Sequence, residues 1–199
     1  MNLSGCNRIT EIGEKAFQNC VSLEAIDLSP CHKLTKIDER AFLGCSKLKS
    51  VNLNGCTEIT EIGKEAFQNC VSLEAIDLSP CVKIREINGK AFSGCSKLKS
   101  VNLSGCTEIT EIRWDAFQNC VSLEAIDLSS SYMLRKIGER AFYGCTNVAV
   151  KLPANITEIE RGAFGENYGN CCQKVLVPNQ TIRQLVISSK YPVDRIEMY

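Results

Sequence analysis

A chain of 199 residues, of which 44% are hydrophobic and 23% charged, carries enough apolar side chains for a folded core, which excludes a disordered protein. Its 23 basic residues balance 23 acidic ones, so it lacks the positive excess by which proteins bind nucleic acids or acidic membrane surfaces. No apolar run approaches the roughly 20 residues that span a bilayer, and residues 1–6 have neither the basic nor the apolar part of a signal peptide. We therefore expect no nucleic-acid partner, no membrane insertion and no targeting signal in this sequence.

The first predicted element is a short strand that ends at Leu28. The segment Leu23–Leu28 alternates apolar and polar side chains at its end, with Ile26 and Leu28 on one face. This period of two is typical of a strand whose other face is exposed to solvent. A Ser-Pro pair follows Leu28 and breaks the strand.

Beyond that break, Ile37 turns an apolar side chain back toward the interior, and a different spacing follows. Ala41, Phe42 and Cys45 stand at i, i+1 and i+4, which puts all three on one side of a single helical turn. We therefore expect about one helical or 3₁₀ turn on this side of the coil.

The same elements return every 25 residues along the chain. The recurring phenylalanines are Phe17, Phe42, Phe67, Phe92, Phe117 and Phe142. A longer period of 50 residues lies over the shorter one, because the segment QNCVSLEAIDLS begins at Gln18, Gln68 and Gln118. One coil of this size cannot bury its own apolar side chains, so the array must fold by stacking its coils.

In these residues the chain resembles the leucine-rich-repeat superfamily, and in particular its BspA-like branch. The matching positions of the pattern I-x-x-I-x-x-x-A-F-x-x-C-x-x-L-x-x-I-x-L-P are Ile9, Ile12, Ala16, Phe17, Cys20, Leu23, Ile26 and Leu28. An insertion that carries Cys31 looks like the turn of cysteine-containing leucine-rich repeats.

The resemblance implies an α/β leucine-rich-repeat solenoid. In such a fold a right-handed coil has a curved parallel β-sheet on its concave face and short helical or 3₁₀ turns on its convex face. It also implies a cell-surface adhesion or host-contact role for the protein.

The period weakens toward the end of the chain. Leu152–Ile159 follows the shorter BspA-like form, and Val175–Leu185 looks like a degenerate coil. We therefore predict a repeat array over residues 1–174, with an incomplete first coil and a shorter last one. Residues 175–199 are predicted to form a degenerate last coil and a C-terminal cap.

Eleven of the 13 cysteines recur with the repeat, as buried apolar residues do, and only Cys171 and Cys172 lie outside the pattern. Side chains at equivalent positions of stacked coils run side by side and do not face each other, so we expect free thiols in preference to a ladder of disulfides. No CxxC pair is accompanied by a second pair or a histidine cluster, so we predict no zinc site. The compartment stays open, because free thiols favour a reducing interior whereas the resemblance implies the cell surface.

Catalytic chemistry has little support in the sequence. The single histidine, His32, falls on a predicted exposed turn, and no positioned base accompanies the repeated serines and cysteines. No phosphate-binding glycine loop is present. We therefore predict a protein that is not an enzyme and has no catalytic residues, no bound metal and no cofactor.

The exposed side of the predicted strands is the first candidate binding surface. Odd coils carry Glu and Asp there and even coils carry Lys and Asn, so that the charges alternate across the sheet. The candidate residues are Glu24, Asp27, Lys49, Asn52, Glu74, Asp77, Lys99, Asn102, Glu124 and Asp127. Because these positions hold six carboxylates and two lysines, we expect a protein or peptide partner with a basic patch.

An alternative surface lies where the copies of the repeat differ most. Trp114, Tyr132, Met133 and Tyr143 replace small or polar residues of other coils, and together they could form an exposed apolar patch. Packing against the adjacent coil is the simpler interpretation of these four residues.

Two functions follow from the sequence. The first is a protein–protein interaction module that binds through the repeat surface, and we expect such a module to be a monomer. The second is a structural spacer, or a recently duplicated array without its own ligand, which the near-identical strand faces favour.

Overall fold

The structure is a computed structural model that describes residues 6–167 and 169–199. Residues 1–5, for which the sequence predicts no signal peptide, lie outside the described part. The strands, in chain order, are β1 (Glu11–Ile12), β2 (Ala25–Asp27), β3 (Lys36–Ile37), β4 (Ser50–Asn52), β5 (Glu61–Ile62), β6 (Ala75–Asp77), β7 (Glu86–Ile87), β8 (Ser100–Asn102), β9 (Glu111–Ile112), β10 (Ala125–Asp127), β11 (Lys136–Ile137), β12 (Ala149–Lys151), β13 (Glu158–Ile159), β14 (Lys174–Val177) and β15 (Ile196–Met198). Helix α1 spans Gln180–Ser188, and a 3₁₀ turn spans Val193–Arg195.

The strands stack in parallel, coil upon coil, as a leucine-rich-repeat solenoid of about seven turns requires. The strand predicted to end at Leu28 is β2, and it pairs with β4 so that Ile26 lies beside Val51. The equivalent strands of later coils form a six-stranded sheet in the order β6-β8-β10-β12-β14-β15. The predicted solenoid and its parallel sheet are therefore confirmed.

A second parallel sheet runs along the solenoid, and the sequence did not predict it. Its seven strands follow the order β1-β3-β5-β7-β9-β11-β13, and each contributes only two residues. In each strand the isoleucine points inward, and the preceding glutamate or lysine stays at least partly exposed. A strand of two residues is too short to show the alternation on which a sequence-based prediction depends.

The core is a continuous column of side chains from stacked coils. Seven phenylalanines, from Phe17 to Phe164, stack with ring centroids 5.1 to 5.8 Å apart and nearly parallel planes. Tyr191 meets the last ring edge-on at 5.9 Å. Residues one period apart therefore occupy equivalent places in neighbouring coils, which is the basis of the predicted repeat.

The third side of each coil differs from the predicted helical or 3₁₀ turn. It consists of consecutive β-turns whose third residue has a positive φ, such as Lys15 at 58° and Asn19 at 57°. In the first of these turns the amide of Ala16 donates to the carbonyl of Gly13 at 3.1 Å. Such turns also return apolar side chains to the interior, which is why the spacing resembled that of a helix.

These turns also join the coils to one another. The amides of Lys15, Phe17 and Asn19 donate to carbonyls of the next coil at 3.0, 2.7 and 2.7 Å. Holding a non-glycine residue in the left-handed region costs about 1–2 kcal/mol. The conformation persists because it directs alternate amides along the solenoid, where a helix would use them within one coil.

All cysteines are free thiols, and all of them except the half-buried Cys6 and the exposed Cys20 line the interior. Cys45, Cys70, Cys95, Cys120 and Cys145 each donate a thiol hydrogen bond to the carbonyl of a phenylalanine of the preceding coil, at 2.8 to 3.2 Å. Cys172 continues this ladder with a longer contact of 3.7 Å to the carbonyl of Phe142. The expectation that Cys172 lies outside the repeat is therefore wrong, because an insertion after Phe164 hides its register in the sequence.

The C-terminal segment closes one end of the stack. Within the predicted degenerate coil, β14 is followed by helix α1, and the chain then returns so that β15 pairs in parallel with β14. The side chain of Asn179 caps α1 by accepting from the amide of Ile182 at 2.9 Å. Ile182 and Val186 are buried against the array.

Candidate functional site

The strand face is the outward side of strands β2, β4, β6, β8 and β10, including the Glu or Lys that precedes each strand. Within each strand the central residue is buried, and its neighbours point outward or lie at the rim. The predicted alternation holds, because Ala25 pairs with Ser50 and Asp77 pairs with Asn102. All ten candidate residues of the strand face therefore lie in two rows along one side of the solenoid.

The Asp and Asn row also has a structural function. Oδ1 of Asp27, Asp77 and Asp127 accepts the amide of the serine two residues later, at 3.0, 2.9 and 2.8 Å. Asn52 and Asn102 accept an amide in the same way, each at 3.1 Å. These side chains form Asx turns that end each strand, and a D-L-S or N-L-[NS] segment is their signal in the sequence.

Two of these Asx turns also favour the ionised form of their carboxyl, those of Asp27 and Asp127. Hydrogen bonds from Ser29 lower the pKa of Asp27. Burial opposes ionisation of Asp127, but hydrogen bonds from Ser129 outweigh it and lower the pKa of that carboxyl. Asp27 and Asp127 are therefore negatively charged at neutral pH.

The Glu and Lys row is only partly paired. Lys49 Nζ lies 2.9 Å from Glu24 Oε2, and this contact lowers the pKa of Glu24. Among the described residues, no ion pair within 4.0 Å reaches Glu74, Lys99 or Glu124. The middle of the strand face thus has charged side chains available for a partner.

Lys151 belongs to this surface, although the sequence analysis missed it. It lies on β12 beside β10, with Nζ 3.4 Å from Asp127 Oδ2. This coil departs from the L-x-x-I-x-L pattern of the others, so the register of Lys151 could not be assigned from the sequence. With Lys151 included, six carboxylates face three lysines, so the strand face keeps an acidic excess.

The seven-stranded sheet carries a different charge pattern. Glu61, Glu86 and Glu111 are direct neighbours in register, which would be repulsive without counter-charges. Arg113 supplies one, with Nε 2.8 Å from Glu86 Oε2 and 3.8 Å from Glu111 Oε2. Asn88 donates to Glu61 at 3.3 Å. These contacts explain why Arg113 differs from the glycines at the same position of other coils.

The structure divides the four residues of the alternative patch into two places. Tyr132 and Met133 precede β11, whereas Trp114 follows β9 on the far side of the seven-stranded sheet. Lys90 Nζ lies 5.2 Å from the centroid of the Trp114 ring, and Arg140 lies 5.6 Å from that of Tyr143. Trp114 and Tyr143 are thus held by cations of the turn side.

Tyr132 and Met133 instead border an open groove of about 520 Å³, which we call the corner groove. Its other lining residues are Arg85, Thr107, Glu108 and Thr110. The side chains of Tyr132 and Met133 are 56% and 46% exposed. Of the predicted patch, these two residues line the corner groove together.

The family of the chain follows from its match to a family model. The model for the BspA type leucine rich repeat region matches residues 10–133 and 110–185, with six copies. The chain belongs to the BspA-type leucine-rich-repeat family. Members of this repeat family commonly act as protein-interaction modules, and such solenoids are typically non-enzymatic.

One solved structure shows the same fold, and others were matched with lower scores. A leucine-rich-repeat protein of T. pallidum has a TM-score of 0.69 and 26% identity, over 92% of this chain and 78% of that one. A leucine-rich cell surface protein of Faecalibacterium prausnitzii matches at 15% identity, with a TM-score of 0.36 over 96% of this chain and 83% of that one. InlJ of Listeria monocytogenes, whose functional domain includes a cysteine ladder, matches at 13% identity, with a TM-score of 0.32 over 90% of this chain and 47% of that one. No curated protein matches the chain significantly.

Among residues 6–167 and 169–199, no three His, Cys, Asp or Glu side chains are grouped so that they could hold a metal ion. In the same ranges no helix is long and apolar enough to cross a membrane. His32 is exposed, as expected, and its ring packs near Gly55 of the next coil.

Proposed function

We propose that the strand face binds a protein segment that carries basic side chains. The observation that carries this proposal is the exposure of Glu74 and Glu124, which no ion pair neutralises among the described residues. Asp77 and Asp127 lie in the neighbouring row, fixed by their Asx turns. A basic segment would therefore meet preorganised negative charges along the middle of the array.

The shape of the strand face supports a broad and weak contact. Between the two charged rows lie Ala25, Ser50, Ala75, Ser100 and Ala125, whose small side chains leave room for an extended backbone. Aromatic anchors, which dominate tight interfaces, are missing from the same positions. Charge attraction would then increase the association rate more than the final affinity.

The adhesion or host-contact role is a further part of the proposal and rests on the BspA-like resemblance. The alternative function is a spacer without a ligand, which the repetition of nearly identical strand faces favours. The two differ in whether the exposed carboxylates of the strand face take part in binding.

Charge reversal separates the two functions. The variant carries Glu74→Lys and Glu124→Lys, and the control carries Glu39→Lys and Glu139→Lys on the turn side, with the same change in net charge. The probe is a fluorescent peptide of about eight residues with alternating Lys and Ser, enough to cross several strands about 4.8 Å apart. We expect the strand-face variant to bind it about tenfold more weakly at low salt, since Coulomb attraction provides most of the contact.

The control should bind the peptide nearly as well as the original protein does. Equal losses in variant and control would mean that only net charge matters, and the strand face would then not be a site. Unchanged binding in both would favour the spacer. Circular dichroism checks that each variant keeps the fold.

A further inference from the structure

The corner groove lies where one copy of the repeat lacks an ion pair that an earlier copy makes. In an earlier coil pair, Lys83 Nζ lies 2.7 Å from Glu58 Oε2 across the same corner. One two-coil unit later, Glu108 stands at the position of Glu58, but Met133 replaces the lysine. This change exposes an apolar side chain at a position where the earlier copy of the same fold carries a charged one.

Tyr132 next to it is held in place by its backbone and not by its ring. The carbonyl of Tyr132 accepts from Arg135 Nη1 at 2.7 Å and from Asn155 Nδ2 at 3.0 Å. The phenol ring remains largely exposed, and Met133 beside it is nearly half exposed. The loop is therefore rigid while its two apolar side chains face solvent, and such preorganisation favours binding.

Arg85 supplies the positive charge of the corner groove, whose lining also contains the carboxylate of Glu108. Its side chain is 74% exposed, and its contact to Glu108 is long, at 3.8 Å. It also borders a second open groove with Thr60, Glu61 and Glu86. With Arg135 turned toward backbone carbonyls, Arg85 is the cation best placed to receive a carboxylate beside Tyr132 and Met133.

We propose that the corner groove binds an extended peptide segment in which an aromatic or long aliphatic side chain stands close to a carboxylate. The apolar side chain packs against Tyr132 and Met133, and the carboxylate pairs with Arg85. This surface is separate from the strand face and has the opposite charge preference, so it extends the proposed function without depending on it.

Methionine methyl groups give a direct readout, because the chain has only three methionines, Met1, Met133 and Met198. The protein is labelled with ¹³C at the methionine methyls and titrated with the capped peptide Gly-Phe-Gly-Glu-Gly. We expect a saturable shift of the Met133 signal and no shift of Met198, which lies on β15. The same peptide with Lys in place of Glu should bind about tenfold more weakly, since it cannot pair with Arg85.

Two variants test the residues by fluorescence anisotropy of the labelled peptide. Met133→Lys restores the lysine of the earlier coil at a position where the fold accepts it, and Arg85→Thr restores the residue found in another coil, Thr35. Each should weaken binding about tenfold, whereas the strand-face variant Glu74→Lys with Glu124→Lys should leave it unchanged.

Three results would overturn the proposal. The Met133 signal could fail to move, it could move equally with the lysine peptide, or it could shift with protein concentration alone. The last result would mean that a second copy of the chain occupies the groove. Because the strand-face variant is measured with the same peptide, failure of this proposal and failure of the proposed function remain distinguishable.

Discussion

Ser131 interrupts the second ladder of cysteines, in which Cys31, Cys56, Cys81 and Cys106 occupy the equivalent buried positions. Its hydroxyl oxygen is buried and has no hydrogen-bond partner in the described part of the chain. A buried hydroxyl without a partner costs about 1–3 kcal/mol, whereas a thiol loses less on leaving water. The other coils thus indicate that cysteine is the more favourable residue at position 131.

We predict that Ser131→Cys increases the free energy of unfolding by about 1 kcal/mol, because it removes an unsatisfied hydroxyl and fills the space that the ladder provides. Urea unfolding followed by circular dichroism measures the change. The converse substitution Cys81→Ser, at the equivalent position two coils earlier, should destabilise the fold. A lower stability for Ser131→Cys would show that the hydroxyl has a partner, such as a buried water.

At the residue scale the sequence predicted which side chains are buried or exposed, but not what the polar ones contact. The inward direction of Ile26 and the outward direction of Asp27 follow from alternation alone. That Asp27 ends its strand as an Asx turn depends on where the following amide points, which alternation does not specify. Glu24 pairs with Lys49, whereas Glu74 makes no such ion pair among the described residues. The two glutamates lie in identical sequence segments, so their difference depends on side-chain rotamers that the sequence does not specify.

Among the elements, the turn side shows the clearest gap between sequence and structure. Spacings of i, i+1 and i+4 suit both a helical turn and a chain of β-turns, since both return the same side chains to the interior. The choice depends on where the amides find acceptors. In the array the next coil offers carbonyls at 2.7 to 3.0 Å, so stacking favours the β-turns.

In the phenylalanine column, the contribution of each ring to stability depends on its position along the column. Phe92 is fully buried between two rings, whereas Phe17 has a ring on one side only and is partly exposed. We predict that Phe92→Ala lowers the free energy of unfolding by about 3–5 kcal/mol, as expected for a buried ring that leaves a cavity.

Phe17→Ala, with the same chemical change at the end of the column, should cost less than half as much. Urea unfolding of both variants provides the comparison. Equal losses would mean that the first coil is packed as tightly as the middle of the array.

Across the whole molecule, the interior contains ionisable groups that must stay neutral. Burial raises the pKa of Cys56 to about 11 and that of Cys81 and Cys106 to about 12, from an ordinary value of 9.0. Unfolding exposes these thiols and allows them to ionise at their ordinary pKa. The unfolded state is therefore increasingly favoured above pH 9.0.

We predict that the urea midpoint stays nearly constant below pH 9 and falls as the pH rises toward 12, because each pKa unit of a buried thiol corresponds to about 1.4 kcal/mol. A triple variant with Cys56→Ala, Cys81→Ala and Cys106→Ala should be less stable at pH 8 but show a shallower decline above pH 9. Equal slopes would assign the alkaline loss to the lysine ion pairs.

The architecture of the whole molecule was the most predictable property, because every coil repeats the same pattern of apolar residues. The two-residue strands of the second sheet and helix α1 were not predicted. Each second-sheet strand is too short to show a period, and α1 occurs once, so repetition could not reinforce its apolar spacing at Ile182, Leu185 and Val186. The candidate surfaces were predicted as sets of residues, but the separation of Trp114 from Tyr132 required the path of the chain.

The turns of the third side also limit how such an array can change its length. Asn19, Asn69 and Asn119 each lean over a glycine of the following coil, and a Cβ added to Gly44, Gly94 or Gly144 would meet the amide oxygen of that asparagine. Duplication of a single odd coil would place two asparagines, two glutamates and two aspartates side by side in neighbouring coils. Recombination is therefore expected to add or remove coils in pairs. Related arrays should then differ in length by even numbers of coils.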